Sequence, residues 1–277
     1  MNTRSLMIGV AITFLTISAS TNVRADALHV FENEKGVIKI AGGTAHIPVV
    51  KELAKRIMNF NPDIQVSIAG GGSGVGIKQA GEGLVDIGNS GRMPSENEIK
   101  RYNLKVFQWA VDGVGIIVNP KNNVKALSTI QVIDIFSGKI NNWQILGGKN
   151  KGINVYTRNE ASGTRTVFWK KALNKGKITP KANFVVSNGA MKSAISQDPY
   201  SIGYVSIGHI DESVAPVAID YVLPTLDNVK NGSYTIVRGL YSNTKGNPSG
   251  LTKKFIDYLL TPECQEIVRI KGFIPVI

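Results

Sequence analysis

A single cysteine, Cys264, is all that this chain of 277 residues contains. No intramolecular disulfide can form, which fits a bacterial periplasmic protein better than a small, covalently stapled secreted domain. The cysteine also lies far from the N-terminus, whereas a lipid-anchored secreted protein needs one directly after its signal. Histidine is scarce. His29, His46 and His209 sit at unrelated places in the sequence and do not show the spacing of a metal-ligand set. No Gly-x-Ser-x-Gly elbow occurs, so the usual serine-hydrolase signature is missing. No Lys-Ser/Thr pair follows a glycine loop, and Gly-x-Gly-x-x-Gly does not register, which argues against Walker-type and dinucleotide sites. Beyond the N-terminal run, no stretch is long and apolar enough to cross a bilayer. Internal repeats and low-complexity tracts are absent. Donor groups without a base, nucleophile or metal point to binding rather than turnover, with no cofactor and no metal expected.

What is present reads as a globular protein, with 43% apolar and 19% charged residues. Arg4 followed by an apolar run over 6–17 has the form of a secretory signal. Small residues around Val23-Arg24-Ala25 and Ala25-Asp26-Ala27 offer cleavage after Ala25 or Ala27. The expectation is a signal peptide over residues 1–27 and a periplasmic mature protein. The net charge is +12. Such an excess can steer an anion toward a cleft. Nucleic acid is disfavoured as a partner, because the lysines are scattered and no binding motif of that class appears.

Hydrophobic periodicity alternates along the chain. Strands are predicted at 37–41, 64–68, 84–88, 114–118, 154–157, 184–186 and 202–205, with an extended segment at 234–241. Helices are predicted at about 48–58, burying Val50, Leu53, Ala54, Ile57 and Met58, and at 96–102, 128–136, 164–173, 190–196, 225–231, 251–260 and 262–270. This order predicts an α/β fold with a mostly parallel sheet. Ligands of such sheets bind at the carboxyl ends of strands, and four loops with glycines and hydroxyls fall there.

The first is Gly42-Gly43-Thr44-Ala45, where Thr44 offers a hydroxyl and a helix-start N–H. The second is Gly70-Gly71-Gly72-Ser73-Gly74, whose glycine run costs more conformational entropy than a plain turn needs, with Ser73 as the donor. The third, Asn89-Ser90-Gly91-Arg92, brings Ser90 and Arg92. The fourth, Arg158 to Arg165, joins an arginine fork to Ser162, Gly163 and Thr164 at the start of a helix. Asp86 and Asp112 are placed at strand ends, where such residues are more often structural than catalytic.

Taken in order, the Gly-Thr loop, Gly-Gly-Gly-Ser-Gly, Asp86-Ile87-Gly88-Asn89-Ser90 and Arg-x-x-x-Ser-Gly-Thr resemble the periplasmic phosphate-binding proteins of bacterial ABC importers. Asp112-Gly113-Val114, the stretch Ile133 to Trp143, Ser187-Asn188-Gly189-Ala190 and Ile202-Gly203-Tyr204-Val205 add to the likeness. The resemblance implies a two-lobed, type II periplasmic-binding-protein fold with a ligand cleft between the lobes. One lobe would comprise 36–114 plus 237–277 and the other 115–236, the chain crossing near 114 and 237. It implies ligand contacts from Thr44, the Ala45 N–H, Ser73, Ser90, Arg92, Arg158, Ser162, Gly163 and Thr164. It implies capture of inorganic phosphate and delivery to a membrane ABC permease, by a protein that is most simply a monomer. There is one departure. Many longer family members carry an aspartate right after the serine of the third loop, where this chain has Gly91; shorter members resemble its Ser-x-Arg pattern. Another tetrahedral oxyanion such as sulfate or arsenate, a secreted phosphoryl-transfer enzyme, and a periplasmic sensor or adhesion module built on the same fold remain alternatives at this level.

Overall fold

The structure, a computed structural model, describes residues 27–277; the expected signal peptide, apart from Ala27, lies outside them. A 3-10 turn, Ala27–Phe31, opens the described chain and inserts Phe31 fully into the core. The elements then follow as β1 (Gly36–Gly42), α1 (Ile47–Phe60), β2 (Ile64–Gly71), α2 (Ser73–Glu82), β3 (Ile87–Ser90), α3 (Glu96–Tyr102), β4 (Leu104–Val118), β5 (Ala126–Leu127), α4 (Thr129–Ser137), β6 (Asn154–Arg158), α5 (Gly163–Lys171), β7 (Asn183–Val185), α6 (Asn188–Gln197), β8 (Ser201–Ser206), β9 (Ala215–Ile219), α7 (Leu226–Lys230), β10 (Val237–Lys245), α8 (Gly250–Leu259), α9 (Pro262–Ile270) and β11 (Ile274–Pro275).

Local chemistry explains many of the boundaries. α1 has Pro48 in its first turn, where a missing N–H is harmless. Its buried face is Val49, Val50, Leu53, Ala54 and Ile57 at three-to-four spacing, while Met58 is only half-buried. α3 and α4 begin with full capping boxes, Ser95 with Glu98 and Ser128 with Gln131. Gly138 closes α4 in the left-handed conformation.

The strands run in the order β2-β1-β3-β10-β4-β8-β6-β7, with β9 and β11 also on β4 and β5 on β9. The sheet is mixed rather than mostly parallel. β1 pairs in parallel with β2 and β3, and β6 with β7 and β8, but β10 is antiparallel to β3 and β4, and β4 to β8, β9 and β11. Period-2 patterning does not carry strand direction, and the long return of β10 through the middle is what breaks the parallel order. Strand boundaries also shift: β10 runs Val237–Lys245, against the extended segment predicted at 234–241. The segment 84–86 is a bend with Leu84 exposed, and β3 extends through Asn89 and Ser90. β4 begins ten residues before the predicted strand, so Asp112 lies within it and not at its end.

Apolar side chains gather in separate clusters on this frame. One holds Phe31, Leu53, Ile57, Trp109, Leu240, Phe255, Leu259 and Val268. A second holds Val114, Ile116, Val118, Phe136, Trp143, Phe168, Tyr204 and Val217. A smaller third packs Ile117 with Met191, Ile195, Val205 and Val214. Within β4, residues 114, 116 and 118 enter the second cluster and Ile117 the third, because successive side chains point to opposite faces. Both faces of this stretch are therefore covered, which is why its sequence is continuously apolar. β4 and β10 pair along 104–113 and 237–245 and run from the first cluster to the second.

Candidate functional site

A small cavity of about 180 Å³ is lined by Gly43, Thr44, Ala45, Gly72, Ser73, Gly91, Arg158, Ser162, Gly163, Thr164 and Arg238. The space is tight, with room for the centre of little more than one water-sized group. It suits an ion of a few heavy atoms and is too small for a nucleotide or a sugar chain. Each of the four loops singled out from sequence contributes to the lining, and Arg238 on β10 adds a fifth segment.

Each donor is held by an identifiable local device. At the end of β2 the chain turns through Gly72, with φ +93°, a backbone conformation that a side chain would strain. A Cβ there would also stand 2.7 Å from the Ala161 carbonyl. The turn starts α2 at Ser73, and the Gly74 N–H crosses to donate to the Ala161 oxygen at 3.0 Å. Opposite, Ser162 caps α5, its Oγ accepting from the Arg165 N–H. Gly163 is the first helical residue, and a Cβ on it would lie 2.1 Å from Ser73 Oγ. The first-turn N–H groups of α2 and α5 have no acceptor within their own helices, and both helix starts border the cavity.

The four lining hydroxyls share a polarity. Thr44 Oγ1 accepts from the Asn188 N–H at 3.2 Å and from Asn188 Nδ2 at 3.1 Å. Ser73 Oγ accepts from the Gly91 N–H at 2.9 Å. Ser162 Oγ accepts from the Arg165 N–H, and Thr164 Oγ1 from Arg238 Nη1 at 2.9 Å. A hydroxyl that accepts from the protein keeps its hydrogen to donate elsewhere. Each of these four therefore keeps a hydrogen that it can donate to an anion in the cavity.

Two guanidinium groups set the charge. Arg158 ends β6 and is 1% exposed. Its N–H donates to the Tyr204 hydroxyl at 3.2 Å, and its Nη2 to the Val186 carbonyl at 2.9 Å. Tyr204 is itself fixed by stacking on Phe168 at 4.0 Å between centroids and by Thr157 Oγ1 at 2.8 Å. Arg158 Nε and Nη1 are buried and have no protein partner. Burial, with the charge of Arg238 acting the same way, pulls the Arg158 guanidinium down to about 10. Arg238 is buried on β10 opposite Asp112. Its Nε donates to Asp112 Oδ2 at 2.9 Å, and its Nη2 lies 2.8 Å from the same oxygen at an angle unsuited to a hydrogen bond. Ser206 Oγ donates to Asp112 Oδ1 at 3.0 Å. Burial raises the Asp112 carboxyl above the ordinary aspartate range, while the Arg238 charge pulls the other way. His46 and His209 are kept neutral, lowered mainly by burial to about 3 and about 4. Two cations against one carboxylate leave this buried region net positive.

Of the residues singled out from sequence, Thr44, Ala45, Ser73, Arg158, Ser162, Gly163 and Thr164 are brought together. Ser90 and Arg92 are not. Because β3 runs through Ser90, that side chain is buried in the sheet, with Oγ accepting from Asn243 Nδ2 at 2.9 Å. Arg92 makes a two-pronged pair with Glu98, both bonds at 2.7 Å, and borders a different groove with Met93, Thr166 and Lys170. The guanidinium in turn holds the Glu98 carboxyl down at about 2. Arg238 was not foreseen. Its opposite-sign partner in an adjacent apolar strand, Asp112, is the signal that could have found it. A Cβ on Gly91 would lie 2.6 Å from Arg238 Nη1, so the guanidinium occupies the space beside Gly91. Nor are the histidines unrelated in space. His46 Nδ1 reaches the Gly43 carbonyl at 3.0 Å, and His209 contacts the backbone of Thr44 and Ala45, so both flank the same segment.

Comparison with known proteins agrees with this geometry. A family model described as the PBP superfamily domain matches residues 27–263. The Bacillus subtilis phosphate-binding protein PstS is 39% identical over 248 residues, covering 88% of this chain and 82% of its own. A Clostridium perfringens phosphate ABC transporter substrate-binding protein, solved with bound phosphate, superimposes with a TM-score of 0.82 at 34% identity, over 87% of this chain and all of the other. An ABC-type phosphate transport receptor from Vibrio cholerae gives 0.69 at 30% identity, over 86% and 99%. The chain therefore belongs to the phosphate-binding protein (PstS) family of the PBP superfamily, with its mixed α/β, type II binding-protein fold.

Proposed function

We propose that this protein captures inorganic phosphate outside the cytoplasm and delivers it to the membrane permease of an ABC importer. The observation that carries this reading is the buried net positive charge, with Arg158 Nε and Nη1 unpartnered, at a cavity lined by four hydroxyls whose hydrogens are free to donate. Taking a dianion out of water is costly unless its hydration is replaced. Hydrogen bonds to a charged group contribute about 1.5–3 kcal/mol each. A handful of them reaches the roughly −8 kcal/mol of a micromolar site after the cost of ordering. Thr44, the Ala45 N–H, Ser73, Arg158, Ser162, Gly163 and Thr164, joined by Arg238, form the proposed ligand shell. The separate apolar clusters support a division into one lobe of 36–114 plus 237–277 and another of 115–236. The compartment is the periplasm, reached through a cleaved leader over residues 1–27, and the mature chain acts as a monomer.

Calorimetric titration tests the reading. Wild type is expected to bind phosphate, and Arg158→Ala to lose about a hundredfold or more in affinity, since roughly 3 kcal/mol accompanies two lost charged donors. Unchanged affinity in that variant would exclude this cavity. A second reading keeps the site and widens the ligand to sulfate or arsenate. It is favoured by the lining itself, which presents no carboxylate to accept the proton of hydrogen phosphate. Competition titrations with sulfate at two pH values separate the two, because sulfate carries no proton near neutrality.

A further inference from the structure

Asn188 is fully buried at the start of α6, outside the glycine and arginine loops, and does not border the cavity. It nevertheless touches Thr44, 144 positions away, twice: through its backbone N–H at 3.2 Å and through Nδ2 at 3.1 Å. The orientation of its amide is fixed by its other end. Asn188 Oδ1 accepts from the Ser206 N–H at 3.1 Å, which requires the oxygen on that side and leaves the NH₂ toward Thr44. Ser206 in turn donates to Asp112, the partner of Arg238. Thr44 Oγ1 thus receives two N–H donors, filling both of its lone pairs. Its hydrogen is then left to donate, at a residue that lines the cavity. The same two bonds join the segment after β1 to the helix after β7, so they also tie one side of the cleft to the other.

We propose that Asn188 is a positioning residue, which fixes the Thr44 hydroxyl as a donor to the anion and latches the two sides of the cleft together. The proposal rests on the phosphate reading above. A carboxylate in place of the amide makes the chemistry testable. In Asn188→Asp the new oxygen accepts the Thr44 hydrogen, so a hydroxyl lone pair turns toward the anion. A role confined to packing would not depend on whether position 44 carries a hydroxyl.

The experiment is a double-mutant cycle read by calorimetry with inorganic phosphate, using wild type, Asn188→Asp, Thr44→Ala and the double variant. Asn188→Asp is expected to weaken binding tenfold or more in the wild-type background and less than threefold in the Thr44→Ala background. Equal losses in both backgrounds would overturn the proposal. If Asn188→Asp does not fold, Asn188→Ala carries the same cycle with a smaller signal and the same criterion. If wild type takes up no phosphate, it is the functional reading that fails. The latch is then judged by small-angle scattering of the full mature chain, where Asn188→Ala is expected to enlarge the radius of gyration and an unchanged radius overturns it.

Discussion

Arg238 depends on one carboxylate. Its Nε and Nη2 both lie on Asp112 Oδ2, and Asp112 is fully buried. Removing one member of a buried ion pair leaves the other charged and unsolvated, which costs about 3–5 kcal/mol. Asp112→Asn is therefore expected to lower the urea midpoint by that much stability, and a shift under 1 kcal/mol would mean that Arg238 finds another partner. The addition of phosphate should restore part of the loss, because an anion in the cavity offsets the same charge. This pair also marks where the sequence stopped being informative about the site. Thr44, Ser73 and the 158–164 segment were legible because glycine beside hydroxyl at a strand end has a physical meaning without any structure. Arg238 and Asn188 lie outside such loops, and only strand register and chain reversal bring them close. Ser90 and Arg92 mimicked the legible pattern, but a two-residue extension of β3 buried the first and Glu98 captured the second.

The aim of α2 depends on glycines that present no group to a ligand. A Cβ on Gly76 would meet the Asn89 carbonyl at 2.5 Å and the Ala41 carbonyl at 2.9 Å, and both obstacles are backbone. The helix therefore lies directly on the ends of β1 and β3, which places its first turn at the cavity. Gly42 lets this helix approach: a Cβ there would stand 2.6 Å from Gly76 Cα. Gly76→Ala is expected to destabilise by about 1–3 kcal/mol through overpacking, and to weaken anion binding by moving Ser73. Thermal melts and phosphate titrations of the same sample would check both; a variant with wild-type melting and affinity would show that α2 can shift freely. Elements of this kind were largely readable. The helices with capping boxes and amphipathic faces appear where periodicity put them. What periodicity could not supply was the direction of β10 and the true length of β4, since pairing partners are set by distant chain segments.

Across the whole molecule, acid should be destabilising. His46 and His209 are held at about 3 and about 4, below the usual histidine value near 6.5 that an unfolded chain would show. Between those limits the unfolded state binds more protons, so stability falls as pH falls. Glu98, held at about 2 by Arg92, adds loss in the same direction below the ordinary glutamate range. The melting temperature is expected to decline steadily from pH 7 to pH 4.5, and a flat profile would mean that neither imidazole is buried neutral. The two passages of the chain between the apolar clusters, β4 and β10, are not separate tethers. They are rungs of one ladder, with Arg238 facing Asp112. Two loose strings would let the halves twist or slide as well as part. A bonded ribbon resists both motions and yields mainly by creasing across its width, like the spine of a book. Were the halves to part along that crease, Arg158, Ser162, Gly163 and Thr164 would withdraw together. An ion inside would be surrendered in a single event, without shedding its contacts one by one.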